Sequence, residues 1–147
     1  MPAGRGASNA EVIVPPRLFR VILPVSDVDR AAEFYAAVLG VAGRRVSPGR
    51  HYFRCGGVIV ACLDARRDGD GYDAVPVPEW LYFATGDLEG LFERCRRAGA
   101  SFETGEIHGQ PAGGIVRRPW GERSFYARDP FGNGLCFVDE RTVFSGE

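Results

Sequence analysis

Two stretches of this chain carry the same order of apolar and polar positions. Residues 20–35 read RVILPVSDVDRAAEFY and residues 80–95 read WLYFATGDLEGLFERC. In each, an apolar run meets an Asp, Asp27 or Asp87, and the two lie sixty residues apart. A pattern of helical period then follows in matching phase. In the first copy Ala31, Ala32, Phe34, Tyr35, Val38 and Leu39 make the apolar face. Ser26 or Asp27 supplies an N-cap and Gly40 a C-cap. In the second copy the spacing predicts a helix over Leu88–Ala98 that ends at Gly99. A strand precedes each helix: Leu18–Val25, with Pro24 near its end, and Trp80–Ala84.

Short strands follow each helix. In the first half they fall around Arg44–Ser47, His51–Cys55 and Val58–Leu63, separated by Pro48-Gly49 and Gly56-Gly57. In the second half a strand is expected at Ser101–Glu106, then the long loop HGQPAGGIVRRPWG (108–121). The strands Ser124–Arg128 and Gly134–Val138 come last. Between them Asp129-Pro-Phe-Gly-Asn133 predicts a hairpin, because Pro130 presets φ and Gly132 or Asn133 takes a positive φ. Each half reads β-α-β-β-β. The expected fold class is α+β: two βαβββ modules with mixed sheets forming a cleft, helices on the outer face. The modules span 17–64 and 79–141, joined by a polar, breaker-rich linker at 65–78 and forming a single domain over 17–141. Residues 1–16 read as a flexible arm, or a strand that pairs only in an oligomer. Residues 142–147 read as a tail.

Composition narrows the chemistry. A net charge of −1 gives no field to attract nucleic acid or an acidic membrane. All 18 basic residues are Arg, which removes Schiff-base chemistry through Lys and any P-loop lysine. The absence of Lys reads as compositional bias, so the Arg count is not itself a functional signal. No apolar run approaches the roughly 18 residues that span a bilayer. The stretch MPAGRGASNAE lacks the apolar core of a signal peptide. A cytoplasmic location is the expectation, with the four Cys as reduced thiols.

The strand–DP-x-G-N–strand hairpin, within PWGERSFYARDPFGNGLCFVDE (119–140), and the segment LPVSDVDRAAEFYAAVLG (23–40) resemble the vicinal oxygen chelate superfamily. Its members include glyoxalase I, extradiol dioxygenases, fosfomycin-resistance enzymes and bleomycin-resistance proteins. The likeness covers about residues 17–141 and is greatest to the glyoxalase/bleomycin-resistance branch. Fold alone does not imply an activity, because enzymes and plain binders share this one.

Enzymes of the superfamily hold a divalent metal with His, Gln or Glu on the first and last strand of each module. The resemblance puts the first-strand positions seven residues before each capping Asp, at Arg20 and Trp80. The last-strand position of the second module lies seven residues after Asp129, at Cys136, and its counterpart falls within a residue of Cys62. Arg has no lone pair to donate and Trp offers only an N–H. The usual oxygen and nitrogen ligand set is therefore not met, and no cofactor is expected. Two cysteines at equivalent positions, with Arg20 nearby, read either as a thiolate or soft-metal pair or as small core-filling hydrophobes. Cys55 and Cys95 read as packing.

Other candidates are weaker. Arg54 and Arg123 lie near the expected cleft, where a guanidinium holds an anion or carbonyl, or else forms a surface ion pair. Trp80, Trp120, Phe53, Phe125 and Tyr52 suit a flat ligand, although strand alternation sends about half of such residues to the helix side. The loop at 108–121 reads as a ligand cover or as a plain connector. The expected ligand-binding set is Arg20, Cys62, Trp80, Cys136, Arg54, Trp120 and Phe125. The expected function is binding of an aromatic or amphipathic small molecule by a homodimer. The alternative is an enzyme: a metal-dependent lyase, isomerase or dioxygenase that recruits His51, His108, Glu79 or Glu106, or a thiolate enzyme using Cys62 and Cys136. A third reading is a degenerate cleft in a protein that acts only through its dimer.

Overall fold

A computed structural model of the protein describes residues 12–146. Asp27 caps helix α1 (Val28–Leu39), its carboxylate accepting from the backbone N–H groups of Asp29 and Arg30 at 3.1 Å each. Asp87 caps helix α2 (Leu88–Ala98) through Gly90 N–H at 3.0 Å. Gly40 and Gly99 end the helices in the left-handed region, with φ of 78° and 91°. The same local chemistry therefore starts and stops both helices.

Module I contains β1 (Arg20–Pro24), α1, β2 (Arg44–Ser47), β3 (Arg50–Cys55) and β4 (Val58–Leu63). Its sheet, sheet I, runs β1-β4-β3-β2. Module II contains β5 (Trp80–Thr85), α2, β6 (Ser101–Phe102), β7 (Glu106–Ile107), β8 (Gln110–Pro111), β9 (Val116–Arg117), β10 (Arg123–Arg128) and β11 (Gly134–Asp139). Sheet II runs β5-β11-β10-β6, with β9 also paired to β10. The β1–β4 and β5–β11 pairs are parallel and the other pairs antiparallel, so both sheets are mixed.

One predicted strand is interrupted. Residues 101–106 leave sheet II after Phe102, and β7 and β8 form a separate hairpin. Its two-residue turn, His108-Gly109, has φ of 52° and 77°, the double positive φ of a type I′ turn. Residues 12–16 are exposed and lack regular structure. The part of the expected arm before residue 12 lies outside the described residues.

Each helix covers one face of its own sheet and leaves the other open. The helices also meet each other. Arg30 Nη2 donates to Ala98 O at 3.1 Å, and the Arg94 guanidinium donates to Val38 O at 3.2 and 3.3 Å. The two acceptors occupy equivalent positions of the repeat. One continuous core results, holding Leu23, Phe34, Tyr35 and Phe53 from module I with Leu91, Cys95, Phe125 and Phe137 from module II.

The tightest link between modules is polar. Tyr35, fully buried on α1, donates its hydroxyl to Asp129 Oδ2 at 2.6 Å. Asp129 Oδ1 accepts from the N–H groups of Phe131 and Asn133, and its Oδ2 accepts from Asn133 Nδ2. Asn133 Nδ2 also donates to Pro24 O at 2.7 Å, and its Oδ1 accepts from Val77 N–H at 2.9 Å. Burial and the Asp129 charge push the Tyr35 phenol well above its ordinary pKa, so it remains a donor. Tyr35→Phe removes one of the four donors to a buried carboxylate. It is expected to lower unfolding free energy by about 2 kcal/mol, read from the urea midpoint, with no change in the helical circular dichroism of the folded state.

Candidate functional site

Strand alternation divides the residues of sheet II between two faces. Leu81, Phe83, Phe125, Leu135 and Phe137 point to the helices. Trp80, Tyr126, Cys136 and Val138 form a second apolar cluster on the open face, joined by Ala112 and Ile107 from the β7–β8 segment. Gly134, the register partner of Trp80, lets the indole lie flat here: a Cβ on it would sit 2.6 Å from the ring.

The open face of sheet II is aromatic and ordered by cations. The Trp80 and Tyr126 rings meet edge to face with centroids 5.0 Å apart. Tyr82, still 57% exposed, shares a hydrogen bond with Tyr126 between their hydroxyls at 3.3 Å. The Arg128 guanidinium lies 4.5 Å from the Trp80 ring centroid and pairs with Glu103 at 3.1 Å. Arg118 is buried between this face and the 108–121 loop, 5.1 Å from the Tyr126 ring. It donates to the carbonyls of Pro111, Ala112, Gly114 and Ser124 and to Ser124 Oγ. Burial lowers its pKa from the ordinary value, yet a guanidinium remains charged. The 108–121 loop is thus strapped to sheet II by one cation. A cavity of about 450 Å³ lies beside this cluster, with Tyr82, Ala84 and Val138 on its floor. Trp120, Glu122, Val143 and Phe144 wall it. Glu122 holds two walls in place, accepting from Trp120 Nε1 at 2.8 Å and from Phe144 N–H at 2.9 Å.

The structure separates the expected site residues. Trp80 and Cys136 share the open face of sheet II, and Trp120 stands at its cavity. Arg20 and Arg54 belong to the open face of sheet I. Cys62 and Phe125 require correction: both are fully buried on the helix side of their sheets and line no open face. Cys62 is the register partner of core residue Leu23, so its neighbours Ala61 and Leu63 take the open side. The cysteine pair does not converge, because Cys62 and Cys136 sit on opposite faces of different sheets.

The recruited ligands do not converge either. His51 packs on Phe53 with centroids 5.0 Å apart and is 3.0 Å from Ala42 O. His108 packs on Trp120 at 5.4 Å, while Glu79 and Glu106 are exposed. Arg123 is engaged by Glu89 and Asp139. Among the described residues no three of His, Cys, Asp or Glu come together to hold a metal. Sequence reasoning missed Arg118, Tyr82, Tyr126 and Glu122. Alternation counted from Trp80 and Cys136 points to both tyrosines, whereas Arg118 and Glu122 carry no local signal.

Burial dominates the thiols. It pushes Cys62, Cys95 and Cys136 up to about 12. At Cys136 the hydrogen bonds to Tyr126 and Ser124 and the Arg118 charge pull the other way without prevailing. Native protein at pH 7 is expected to resist iodoacetamide at these three, with all four cysteines alkylated after unfolding in urea. A thiol whose folded pKa is raised stabilises the fold fully below its unfolded value, near 9.0. That contribution is lost as pH climbs from 9.0 toward 12. The urea midpoint is accordingly expected to fall across that alkaline window. Arg118→Met strands several buried carbonyls and is expected to cost about 3 kcal/mol. Hydrogen exchange should show it as lost protection concentrated in residues 105–118.

Residues 17–137 match the family model described as the Glyoxalase/Bleomycin resistance protein/Dioxygenase superfamily. No curated protein matches the chain. Among solved structures, a glyoxalase-related enzyme from Fulvimarina pelagi is similar, with a TM-score of 0.67 and 20% identity, over 84% of this chain and 87% of that one. A glyoxalase/bleomycin resistance protein/dioxygenase from Nocardioides gives 0.64 and 22%, over 98% and 95%. The oxidase ChaP-H2 gives 0.65 and 25%, over 86% and 94%. With a family match across most of its length and both modules built as that family builds them, the chain belongs to the glyoxalase/bleomycin resistance protein/dioxygenase superfamily.

Proposed function

We propose that the protein binds a flat aromatic or amphipathic organic molecule on the open face of sheet II, without the divalent metal of the family's enzymes. The observation that carries this reading is the aromatic cavity of about 450 Å³ between Tyr82, Trp120 and Phe144. Its size falls within the range of small-molecule pockets, and its polar groups are few. Removing on the order of 200 Å² of apolar surface from water gives about 5 kcal/mol before the costs of binding. Glu122 supplies an acceptor that orients a ligand N–H or O–H. The proposed assembly is a homodimer, supported by the exposed apolar residues Leu18 and Phe19, just before the edge strand β1, and Ile22 on it. A cytoplasmic location is part of the same proposal, consistent with the absence, among the described residues, of a helix long and apolar enough to cross a membrane.

The enzyme reading has a solved neighbour called an oxidase and a family that includes dioxygenases. It ranks second because Arg20 and Trp80, at the first-strand ligand positions that the resemblance implies, donate no lone pair to a metal.

The two tryptophans of the chain make binding visible by quenching of intrinsic fluorescence. Screening uncharged aromatic compounds is expected to yield a ligand whose affinity drops at least 10-fold in Tyr82→Ala/Trp120→Ala, at unchanged melting temperature. Elemental analysis of protein purified without tag or chelator is expected to show no stoichiometric metal, in the wild type or in Cys62→Ser/Cys136→Ser. Near-stoichiometric metal in either would overturn the metal-free reading.

A further inference from the structure

Most arginines of this protein are spoken for. Arg45, Arg50, Arg66, Arg67, Arg96, Arg123, Arg128 and Arg141 pair with carboxylates. Arg30, Arg94, Arg117 and Arg118 donate to backbone carbonyls. Among the described residues, Arg17, Arg20, Arg44, Arg54 and Arg97 form neither an ion pair nor a hydrogen bond, and three of these five, Arg20, Arg44 and Arg54, stand on the open face of sheet I.

Their placement is set by register. Arg20 on β1 and Arg54 on β3 flank the same residue, Ile59 on β4. Two strand spacings put their Cα atoms about 10 Å apart. Arg44 on β2 is the register partner of Tyr52, two residues from Arg54 on the same side of β3. Tyr52 lies among them. The Arg20 guanidinium is 5.8 Å from its ring centroid, and Arg50 Nη1 donates to its hydroxyl at 3.2 Å. Arg44, Tyr52 and Arg54, with Val41, Val46 and Ile59, line a cavity of about 400 Å³.

We propose that this face is a second binding site, which takes an organic anion: a carboxylate, sulfonate or phosphate group carried on a flat apolar body. Three like charges gathered on one face repel each other, and an anion relieves that repulsion. A guanidinium fork grips such a group through two parallel N–H donors, which an ammonium does not do. Tyr52, Val46 and Ile59 provide the surface for the body. The site differs from the sheet II cavity in the sign it selects: that cavity holds the buried Glu122 carboxylate, whereas this one is lined by the Arg44 and Arg54 guanidinium groups, with Arg20 beside it at the Tyr52 ring.

The test uses two dyes with one aromatic frame, 1-anilinonaphthalene-8-sulfonate and the uncharged N-phenyl-1-naphthylamine. Wild-type protein is expected to bind the sulfonate at least 10-fold more tightly, with the preference shrinking as salt rises from 50 to 500 mM. Arg20→Gln/Arg44→Gln/Arg54→Gln should abolish the preference while leaving the affinity for the uncharged dye and the melting temperature unchanged. These side chains are exposed and make no ion pair or hydrogen bond, so their loss does not threaten the fold. The corresponding triple Lys variant should keep only part of the preference. Tyr82→Ala/Trp120→Ala should weaken the uncharged dye and leave the sulfonate preference intact. No preference in the wild type, or a preference that survives the triple Gln variant, overturns the anion site without touching the sheet II reading. Loss of uncharged-dye binding sites alone would have the converse meaning.

Discussion

The carboxylate of Asp129 accepts four hydrogen bonds where water does not reach it, and the arrangement of the two modules hangs on that group. A buried charge is tolerable only when its acceptor positions are filled. Here three donors come from its own turn and the fourth from Tyr35 in the other module. Asn133 extends the knot to Pro24 at the end of β1 and to Val77 in the linker. Strand β11 begins at the next residue, so the knot sets where Gly134 and Cys136 fall against Trp80 and Tyr82. Through that register a polar cluster at one end of sheet II positions the aromatic face along its length.

Much of this was legible in the sequence, and the reasons are local. Asp27 and Asp87 announce helices because a side-chain carboxylate satisfies backbone N–H groups only a few residues away. The Asp129–Asn133 turn is legible because Pro130 fixes φ and Gly132 tolerates a positive one; Gly132 has φ of 94°. Facing was harder to read. Val58–Leu63 is apolar throughout, so period two gives no clue to which side Cys62 takes, and it went to the core. Phe125 and Tyr126 pose the same problem: adjacent aromatics on one strand, of which only the second reaches the open face. Ser101–Glu106 read as one strand because a His-Gly turn lacks the Asn or Asp that usually marks a type I′ hairpin. Arg118 was invisible, since its acceptors are carbonyls that every residue possesses.

One backbone plan carries two unlike surfaces. The modules share helix caps, a parallel first-to-last strand pair and helix–helix hydrogen bonds to equivalent carbonyls. On sheet II, the open face is walled by a hairpin, a strapped loop and residues 143–144, and its tyrosine, tryptophan and cysteine are half-buried or buried apart from Tyr82. On sheet I, short β2 and the tight turns leave the face bare, and arginines stand on it in the open. The inserted 103–122 segment accounts for most of the contrast. Module I has nothing of that length between its corresponding strands.

Arg118 ties that inserted segment, by its main-chain oxygens, to Ser124 on β10, and this has a consequence for how the protein can change. The strap does not depend on which side chains occupy residues 109–116, provided Gly109, Ala112, Gly113 and the carbonyl directions are kept: Gly109 has φ of 77°, and a Cβ on Gly113 would sit 2.4 Å from Glu103 O. Substitutions in that stretch alter the chemical lining beside the aromatic face without dismantling the support beneath it. The cation turns a loop into a chassis whose bodywork is exchangeable, so a lineage, or an engineer, has room to retune ligand preference at low structural risk.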